Sequence, residues 1–539
     1  MLTQEVTSIR TETPSPAVLE PLRKRFSGDA LSNAKYRVIA VTFVATLGLI
    51  LRVHGLSEKS FWLDEIWSFT VARMPGGFVF WSMQHQDPNA SLYYLILHYW
   101  MHIGQSEFAI RLFSALAGAA TIPFVYALGK RLFSVRLGLI ACVLFAANLY
   151  AVEYSQEARG YSLVVLLVTL SSLFFVRAIQ KPTAGNWLWY VAFSSLAIYV
   201  HVFAVLAVAA QFVSIVLLPN KEIGWRRILP AFSAVTALSL PLAFLMYERM
   251  RSPFVDFAWL PRPTLRRVYD LFYALSGNAS YYGMDPGKAP GGKFLLVIFF
   301  VAAAVGAVAL VKTMFARGRS IQTWRLGFLL SWLLVPIALT LAVSLLGPSM
   351  FINRYLLICV PALVLIVAAG VDQIERTKWV ILLVAAIVTI QALGYRQYFQ
   401  YRSDYREWRA ATDYLLTMGR PGDAIVFSVA HGRLLFDYYD QQYHPADLSP
   451  FSIVYPDLKG EASDPRALSY YPALSSDAIA SLRSRYNRVW LVVYPDDRAP
   501  ASEISKRLRS TLLENHSFVN EKHIDQVIVE LYSRSAGQL

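Results

Sequence analysis

Apolar residues run along this chain in long unbroken blocks, without the alternation of a half-buried strand or the three-and-four spacing of a surface helix. Eleven such blocks stand out, at 37–54, 108–128, 137–152, 161–177, 187–201, 203–219, 228–246, 294–311, 326–346, 355–370 and 379–395. Roughly 20 residues of helix cross a bilayer core, so each block is read as a spanning helix. The run Ser91–Ile103 is equally apolar but only 13 residues long. It is read instead as an interfacial or re-entrant helix within a long first loop, 55–107. Residues 1–36 are polar and hold Pro14, Pro16 and Pro21, the pattern of a disordered tail. No cleavable signal is evident there, because the first apolar block starts late and lacks a small-residue cleavage site.

From residue 396 the pattern changes. A helical stretch at Tyr405–Met418 leads into a turn at Arg420-Pro421-Gly422-Asp423. Strand-like runs follow at Ala424–Val429, Arg488–Tyr494 and Gln526–Tyr532, with helical stretches at Asp477–Tyr486 and Ala501–Asn515 between them. Strands alternating with helices predict a small α/β domain over 396–539. It carries neither a Gly-rich nucleotide fingerprint nor a nucleophile elbow, and no internal repeat is visible. The expected architecture is an α-helical polytopic membrane protein. It has about 11 transmembrane helices over 37–395, interfacial helices in the first loop and a C-terminal α/β domain.

Composition agrees with this picture. Of the 539 residues 56% are hydrophobic and 16% charged, with a mean hydropathy of +0.42. Soluble domains carry about a quarter charged residues. Two cysteines, Cys142 and Cys359, both lie inside apolar blocks, which excludes a disulfide scaffold and a Cys-type zinc site. The net charge of +14 admits nucleic acid or membrane phosphates as partners until its location is considered. Arg23, Lys24, Arg25, Lys35 and Arg37 flank the first span, so the N-terminus is expected in the cytoplasm. Alternation then puts five further basic loops on that side. They hold Lys130, Arg131 and Arg136; Arg177 and Lys181; Lys221, Arg226 and Arg227; Lys312, Arg317, Arg319 and Arg325; and Arg376 with Lys378. The charge is then the collar of a membrane protein and needs no nucleic acid. The C-terminal domain is placed outside. The loop 248–293 breaks the pattern with Arg249, Arg251, Arg262, Arg266, Arg267, Lys288 and Lys293. It is either long enough to escape the charge rule or a cationic site for a lipid phosphate.

The unusual polar residues gather on the side opposite the basic collar. Asp64 and Glu65 sit in the aromatic segment Phe61–Phe69. They are either a solvated pair among interfacial anchors or acids whose desolvation raises their basicity, as general-base chemistry on a hydroxyl requires. His85 and Asp87 lie in a polar loop before Pro88. Glu153, Glu157 and Arg159 crowd a short loop at Tyr154–Tyr161, where charges near hydrocarbon are a functional hypothesis by default. His201 ends the fifth span, and Arg354 in Asn353-Arg354-Tyr355 offers a planar fork for phosphate. Each cluster alone admits a structural reading. Their convergence on one side is the physical argument for an active site.

At this point the chain resembles a known family. Leu63-Asp64-Glu65, the segment Tyr154–Tyr161 (YSQEARGY), Tyr199-Val200-His201 and Asn353–Leu357 (NRYLL), in this order, are similar to elements of the bacterial GT-C glycosyltransferases. Within these the resemblance is to the protein-mannosyltransferase-like and aminoarabinose-transferase-like group (family 39 or RgtA-type). It covers roughly 37–395, and Asp404–Leu416 with Gly422-Asp423 resembles the start of the external domain in many members. One departure is Asn89-Ala90-Ser91-Leu92-Tyr93-Tyr94, where many members carry Pro-Pro-Leu-Tyr-Tyr.

The resemblance implies a polyprenyl-phosphate sugar as donor and a glycan, lipid or protein hydroxyl as acceptor. Transfer would occur with inversion on the extracytoplasmic face of the cell (inner) membrane. It implies Asp64 as base with Glu65 beside it, and Arg159 and Arg354, joined by Arg266 and Arg267, on the donor phosphate. His85, Asp87, Tyr93, Tyr154, Glu157, Tyr161, His201 and Tyr355 would position substrate. No obligatory metal is expected, although a divalent cation is possible. Two other readings stay open: a polymerase or ligase using a lipid-linked oligosaccharide, and a transporter or flippase of lipid-linked glycans. Against transport stand charges clustered at helix ends and the lack of paired halves.

Overall fold

The computed structural model describes residues 33–74, 88–219, 224–251, 260, 262–279, 290–404, 407–443, 451–456, 476–494 and 499–534. Its helical part begins with α1 (Ala34–Val53), α2 (Leu63–Arg73) and α3 (Ser91–Trp100). Then follow α4 (Glu107–Leu132), α5 (Val135–Ala147), α6 (Leu149–Ser155), α7 (Tyr161–Gln180), α8 (Ala184–Val200) and α9 (Ala204–Ser214). The series continues with α10 (Trp225–Arg251), α11 (Leu265–Leu275), α12 (Gly292–Arg317) and α13 (Ile321–Leu346). A 3-10 helix (Asn353–Cys359) runs into α14 (Val360–Val371), and α15 (Thr377–Asp404) ends the part.

Each of the eleven apolar blocks falls on helix. Among the described residues eight spans are long and apolar enough to cross a membrane by themselves. A ninth is the pair α5 and α6, bent by 56° at Asn148. Asn148 belongs to neither helix: its side chain caps α6 by accepting from the Ala151 N–H at 2.9 Å. The sequence block 137–152 therefore hides a break, and Glu153 lies on the short α6 that follows. Helix α3 has only 10 residues, too few to span.

The span Asn353–Val371 is the centre of the bundle, with 94% of its most apolar stretch buried. Helices α5, α12 and α13 surround it, and α4 packs on α1, α5 and α7. At Gly118 of α4 an added Cβ would lie 2.1 Å from Ser155 Oγ, so glycine permits the contact between α4 and α6.

One end of the bundle collects the basic loops. Arg131 bonds Gln180, Arg136 pairs with Asp372 and bonds the Ile374 carbonyl, and Arg227 bonds the Pro182 carbonyl. Four loops that the sequence assigned to one side therefore meet.

The C-terminal region comprises α16 (Glu407–Met418), β1 (Asp423–Phe427), α17 (Ala430–Tyr443), β2 (Phe451–Tyr455), α18 (Ser476–Ser484), β3 (Arg488–Val493), α19 (Ala499–Leu513), β4 (Ser517–Ile524) and β5 (Val527–Ser533). The sheet order is β2-β1-β3-β5-β4. β1 pairs in parallel with β2 and β3, and β5 runs antiparallel to β3 and β4. Two strands escape the sequence pattern. β2 is a five-residue edge, and β4 (SFVNEKHI) is an exposed edge with little apolar alternation. This region is docked on the other part: α17 packs against α2.

Candidate active site

The largest set of side-chain contacts to the loop before α2 comes from Arg111. Arg111, projecting from the first turns of α4, is fully buried. It donates from Nε and Nη2 to both oxygens of Glu65, at 2.7 and 2.6 Å. Its remaining N–H groups reach the carbonyls of Leu56, Lys59 and Ser60 at 2.7, 2.8 and 3.0 Å. All five donors of the guanidinium are thereby used. Glu65 Oε1 also accepts from the Ala158 N–H at 2.8 Å. The expected catalytic role of Glu65 does not fit this position. The carboxylate is buried with both oxygens engaged, and it fastens α2 to α4 and to the 156–160 loop. The lone arginine in an apolar block was a readable signal, since an intramembrane cation needs a partner.

One residue earlier the environment differs. Asp64 keeps 31% of its side chain exposed and pairs with Arg354 across 3.3 Å. Arg159 lies beside them. Its Nη1 donates to the Asp64 carbonyl at 3.4 Å, to Ser68 Oγ at 3.2 Å and to Tyr94 Oη at 3.3 Å. The Arg354 guanidinium stands 5.6 Å over the Trp62 ring and 5.8 Å over the Tyr355 ring, which fix its plane. Sequence reasoning expected desolvation to raise the basicity of Asp64. Burial does push its carboxyl up, but the charges of Arg354, Arg159 and His431 outweigh it and hold the group below its ordinary value.

The segment Tyr154–Tyr161 is a connector in which almost every residue has a partner. Ser155 accepts from Arg52 Nε at 3.2 Å, and Gln156 donates to the carbonyls of Leu51, Arg52 and His54 at the end of α1. Ala158 and Arg159 make the contacts above. Glu157 is buried, and its Oε2 has no hydrogen-bond partner among the described residues. Its carboxyl is pushed up to about 7, with burial the largest cause. Within that rise Glu65 and Asp64 act in the same direction as burial, and Lys59 and Arg354 oppose them.

An aromatic wall adjoins these charges. Tyr161 lies 5.2 Å from Tyr154 and 5.7 Å from His201, and His201 lies 5.0 Å from Tyr355, between ring centroids. The structure thus gathers Asp64, Arg159, Arg354, Glu157, Tyr154, Tyr161, His201 and Tyr355 into one site. Tyr93 belongs to its packing, with its hydroxyl 3.5 Å from Ser114 Oγ, and the neighbouring Tyr94 is the one that meets Arg159.

Arg266 is not drawn in. It is exposed on α11 and paired with Asp270 one turn on. Its neighbour Arg267 shares that helix, and no contact of either with Asp64 or Arg354 is present among the described residues. Helix α11 does pack against the 3-10 helix that carries Arg354. His85 and Asp87 lie outside the described residues. Among those described, no group of three or more His, Cys, Asp and Glu could hold a metal ion.

Sequence reasoning also missed the contribution of the C-terminal region. The Tyr439 hydroxyl accepts from the Phe61 N–H at 2.8 Å and donates to Glu107 Oε1 at 2.5 Å. Arg409 pairs with the other oxygen of Glu107. Tyr438 bonds the Gln105 carbonyl at 3.2 Å, and Arg73 of α2 bonds Gln441 at 2.9 Å.

Comparison with known proteins bears on this arrangement. Residues 89–247 match the family model described as dolichyl-phosphate-mannose-protein mannosyltransferase. No curated protein matches the chain by sequence. The fold is similar to the crystal structure of ArnT from Cupriavidus metallidurans in the apo state, with a TM-score of 0.61 at 14% identity, over 91% of this chain and 97% of that one. It is also similar to the same protein bound to undecaprenyl phosphate, with a TM-score of 0.57 at 15% identity, over 93% and 98% of the two chains. The likeness extends over more than nine-tenths of both chains, and this integral membrane protein shares the fold of that structure.

Proposed function

We propose that this protein transfers a sugar from a polyprenyl-phosphate donor to an acceptor hydroxyl, with inversion, on the extracytoplasmic face. The observation that carries the reading is a partly exposed carboxylate, Asp64, beside two guanidinium groups, Arg159 and Arg354. It stands in a fold whose similar structure, ArnT, binds undecaprenyl phosphate. The arrangement suits the reaction. Asp64 takes the acceptor's proton, the acceptor oxygen attacks the anomeric carbon, and the sugar–phosphate bond breaks on the opposite face. The departing polyprenyl phosphate is met by Arg159 and Arg354 through charge-assisted hydrogen bonds.

The resting pair makes Asp64 a weak base, because Arg354 stabilises its ionised form. A donor phosphate competes for the same guanidinium. Its arrival loosens the Asp64–Arg354 pair and raises the basicity of Asp64 only when a leaving group is in place. The basic loops that meet at one end of the bundle support a cytoplasmic assignment for that end, with the C-terminal domain outside. With Glu65 spent on Arg111 and Asp64 facing Arg354, these two adjacent acids do not form a cage for a divalent cation, and no group of three or more possible ligands gathers among the described residues. Turnover is therefore expected to persist in EDTA.

The test uses purified protein in nanodiscs and radiolabelled polyprenyl-phosphate sugars, with release of polyprenyl phosphate as the readout. Wild type should release it and Asp64→Asn should not. An Asp64→Asn enzyme with undiminished turnover removes Asp64 as the base. A wild type that consumes no lipid-linked sugar removes the reading as a whole.

A further inference from the structure

Helix α17 of the C-terminal domain lies against α2, the helix of Asp64. Near its start is His431, 7% exposed, whose imidazole centroid is 5.6 Å from that of Trp67 at an interplanar angle of 34°. Trp67 follows Asp64 by three residues, so the two side chains share one face of α2 with about 5–6 Å between their Cβ atoms. A residue packed against Trp67 is therefore within electrostatic reach of Asp64, and a positive charge on His431 would favour the ionised form of that carboxyl. The placement is fastened by the Phe61–Tyr439–Glu107–Arg409 chain, which ties α17 and α16 to the residues just before α2 and to the start of α4.

Four other acids on or near α17 have partners of their own. Glu65 is held by Arg111, Asp423 of β1 by Arg488 and Trp490, Asp437 by Arg433, and Glu407 of α16 accepts from the Gln526 N–H. The groups that bear on Asp64 are Arg354 from the 3-10 helix, Arg159 from the 156–160 loop and His431 from α17. Asp64 acts in turn on Glu157 and Tyr161.

We infer that the C-terminal domain supplies His431 to the site as a positioning residue. Packed against Trp67, its imidazole, when protonated, gives Asp64 a third cationic neighbour and ties the base to the docking of that domain. The inference rests on the reading of Asp64 as the base. Under it, the C-terminal domain is a working part of the transferase.

Turnover against pH is compared for wild type, His431→Gln and His431→Lys in nanodiscs. Loss of the cation lets Asp64 hold its proton to higher pH, so the acid limb of His431→Gln should move upward. A shift of one half to one unit lowers the rate about threefold to tenfold on that limb. The alkaline plateau should stay within about twofold of wild type, and His431→Lys should bring the limb back. Superimposed limbs overturn the inference, as does an equal loss at every pH that Lys does not reverse. A second measurement needs no turnover: the Asp64 carboxyl is titrated by NMR in carboxyl-labelled protein, with Asp64→Asn identifying its signal. An upward move in His431→Gln without any consumption of donor sustains the His431 assignment and sinks the transferase reading. An unmoved Asp64 titration sinks the assignment itself.

Discussion

Asp64 and Glu65 are neighbours in sequence, each is paired with an arginine, and they have opposite fates. At the Glu65–Arg111 pair both side chains are 0% exposed, and every donor of the arginine is occupied. At the Asp64–Arg354 pair the contact is 3.3 Å and 31% of the carboxylate side chain remains exposed. The first pair has spent its hydrogen-bonding capacity on the protein. The second has kept part of it for something else. A buried, saturated ion pair acts as a fastener, because releasing either partner strands a charge in low dielectric. A loose, partly wet pair can exchange its counter-ion for a substrate phosphate.

The sharpest way to break this comparison is the same neutral substitution at each acid. Asp64→Asn should lower the turnover rate by about 10²–10⁴, the usual contribution of a general base. The thermal midpoint should stay near wild type, measured by fluorimetry in the same nanodiscs. Glu65→Gln should do the reverse. It leaves Arg111 with an uncompensated charge, and breaking a buried pair costs about 3–5 kcal/mol. The midpoint falls, while the rate per folded molecule changes little. If both variants lose rate equally with no change in midpoint, Glu65 is catalytic and the contrast fails.

The arginines give a smaller effect of the same kind. Arg354→Lys keeps the charge but loses the planar fork and its stacking between Trp62 and Tyr355. Turnover should fall roughly 10–100-fold, the loss of about one or two charge-assisted hydrogen bonds to phosphate. Donor concentration should not rescue the part lost in the chemical step. The corresponding Arg111→Lys change should leave the rate of the folded fraction alone and lower its stability.

How much of this was legible in the sequence depends on the range of the interaction. The spans were legible because each is a continuous apolar block, and the bent span blurred only because Asn148 is a small interruption within one. The convergence of Asp64, Arg159 and Arg354 followed from loops assigned to one side. Which acid was free could not be read, because that depends on where Arg111, a residue 46 positions from Glu65, points its fork. Tyr94 in place of Tyr93 reflects the phase of a short helix, and the role of α17 reflects a domain contact. Both are set by packing rather than by periodicity.

The pH response sharpens the comparison from a third acid. Glu157 is buried like Glu65 but lacks its own arginine, and its carboxyl is pushed up to about 7, with burial the largest cause, from an ordinary value near 4.5. A folded state that binds the proton more tightly than the unfolded one gains stability below the unfolded value and loses it as pH rises through the folded value. Wild type should therefore lose stability between about pH 4.5 and about pH 7 and level off above that, with each unit of difference worth about 1.4 kcal/mol. In Glu157→Gln the midpoint should depend less on pH across this window. A slope that survives the substitution unchanged would place the titration elsewhere.

The smallest expected effect concerns the orientation of Arg159. Its Nη1 is shared among the Asp64 carbonyl, Ser68 Oγ and Tyr94 Oη, all at 3.2–3.4 Å. These are long contacts for a charged donor, which favours about 2.7–2.9 Å to an anionic partner. This Nη1 is therefore held by several long contacts, in contrast to the short ones that hold Arg111. Tyr94→Phe removes one of three weak acceptors and keeps the ring. A single hydrogen bond contributes about 0.5–1.5 kcal/mol, so turnover should fall roughly twofold to tenfold. If Arg159 holds the donor phosphate before transfer as well as on its departure, the loss should appear mainly in KM for the lipid donor, with kcat nearly kept. A loss confined to kcat would move Arg159 from holding the donor to stabilising the departing phosphate alone.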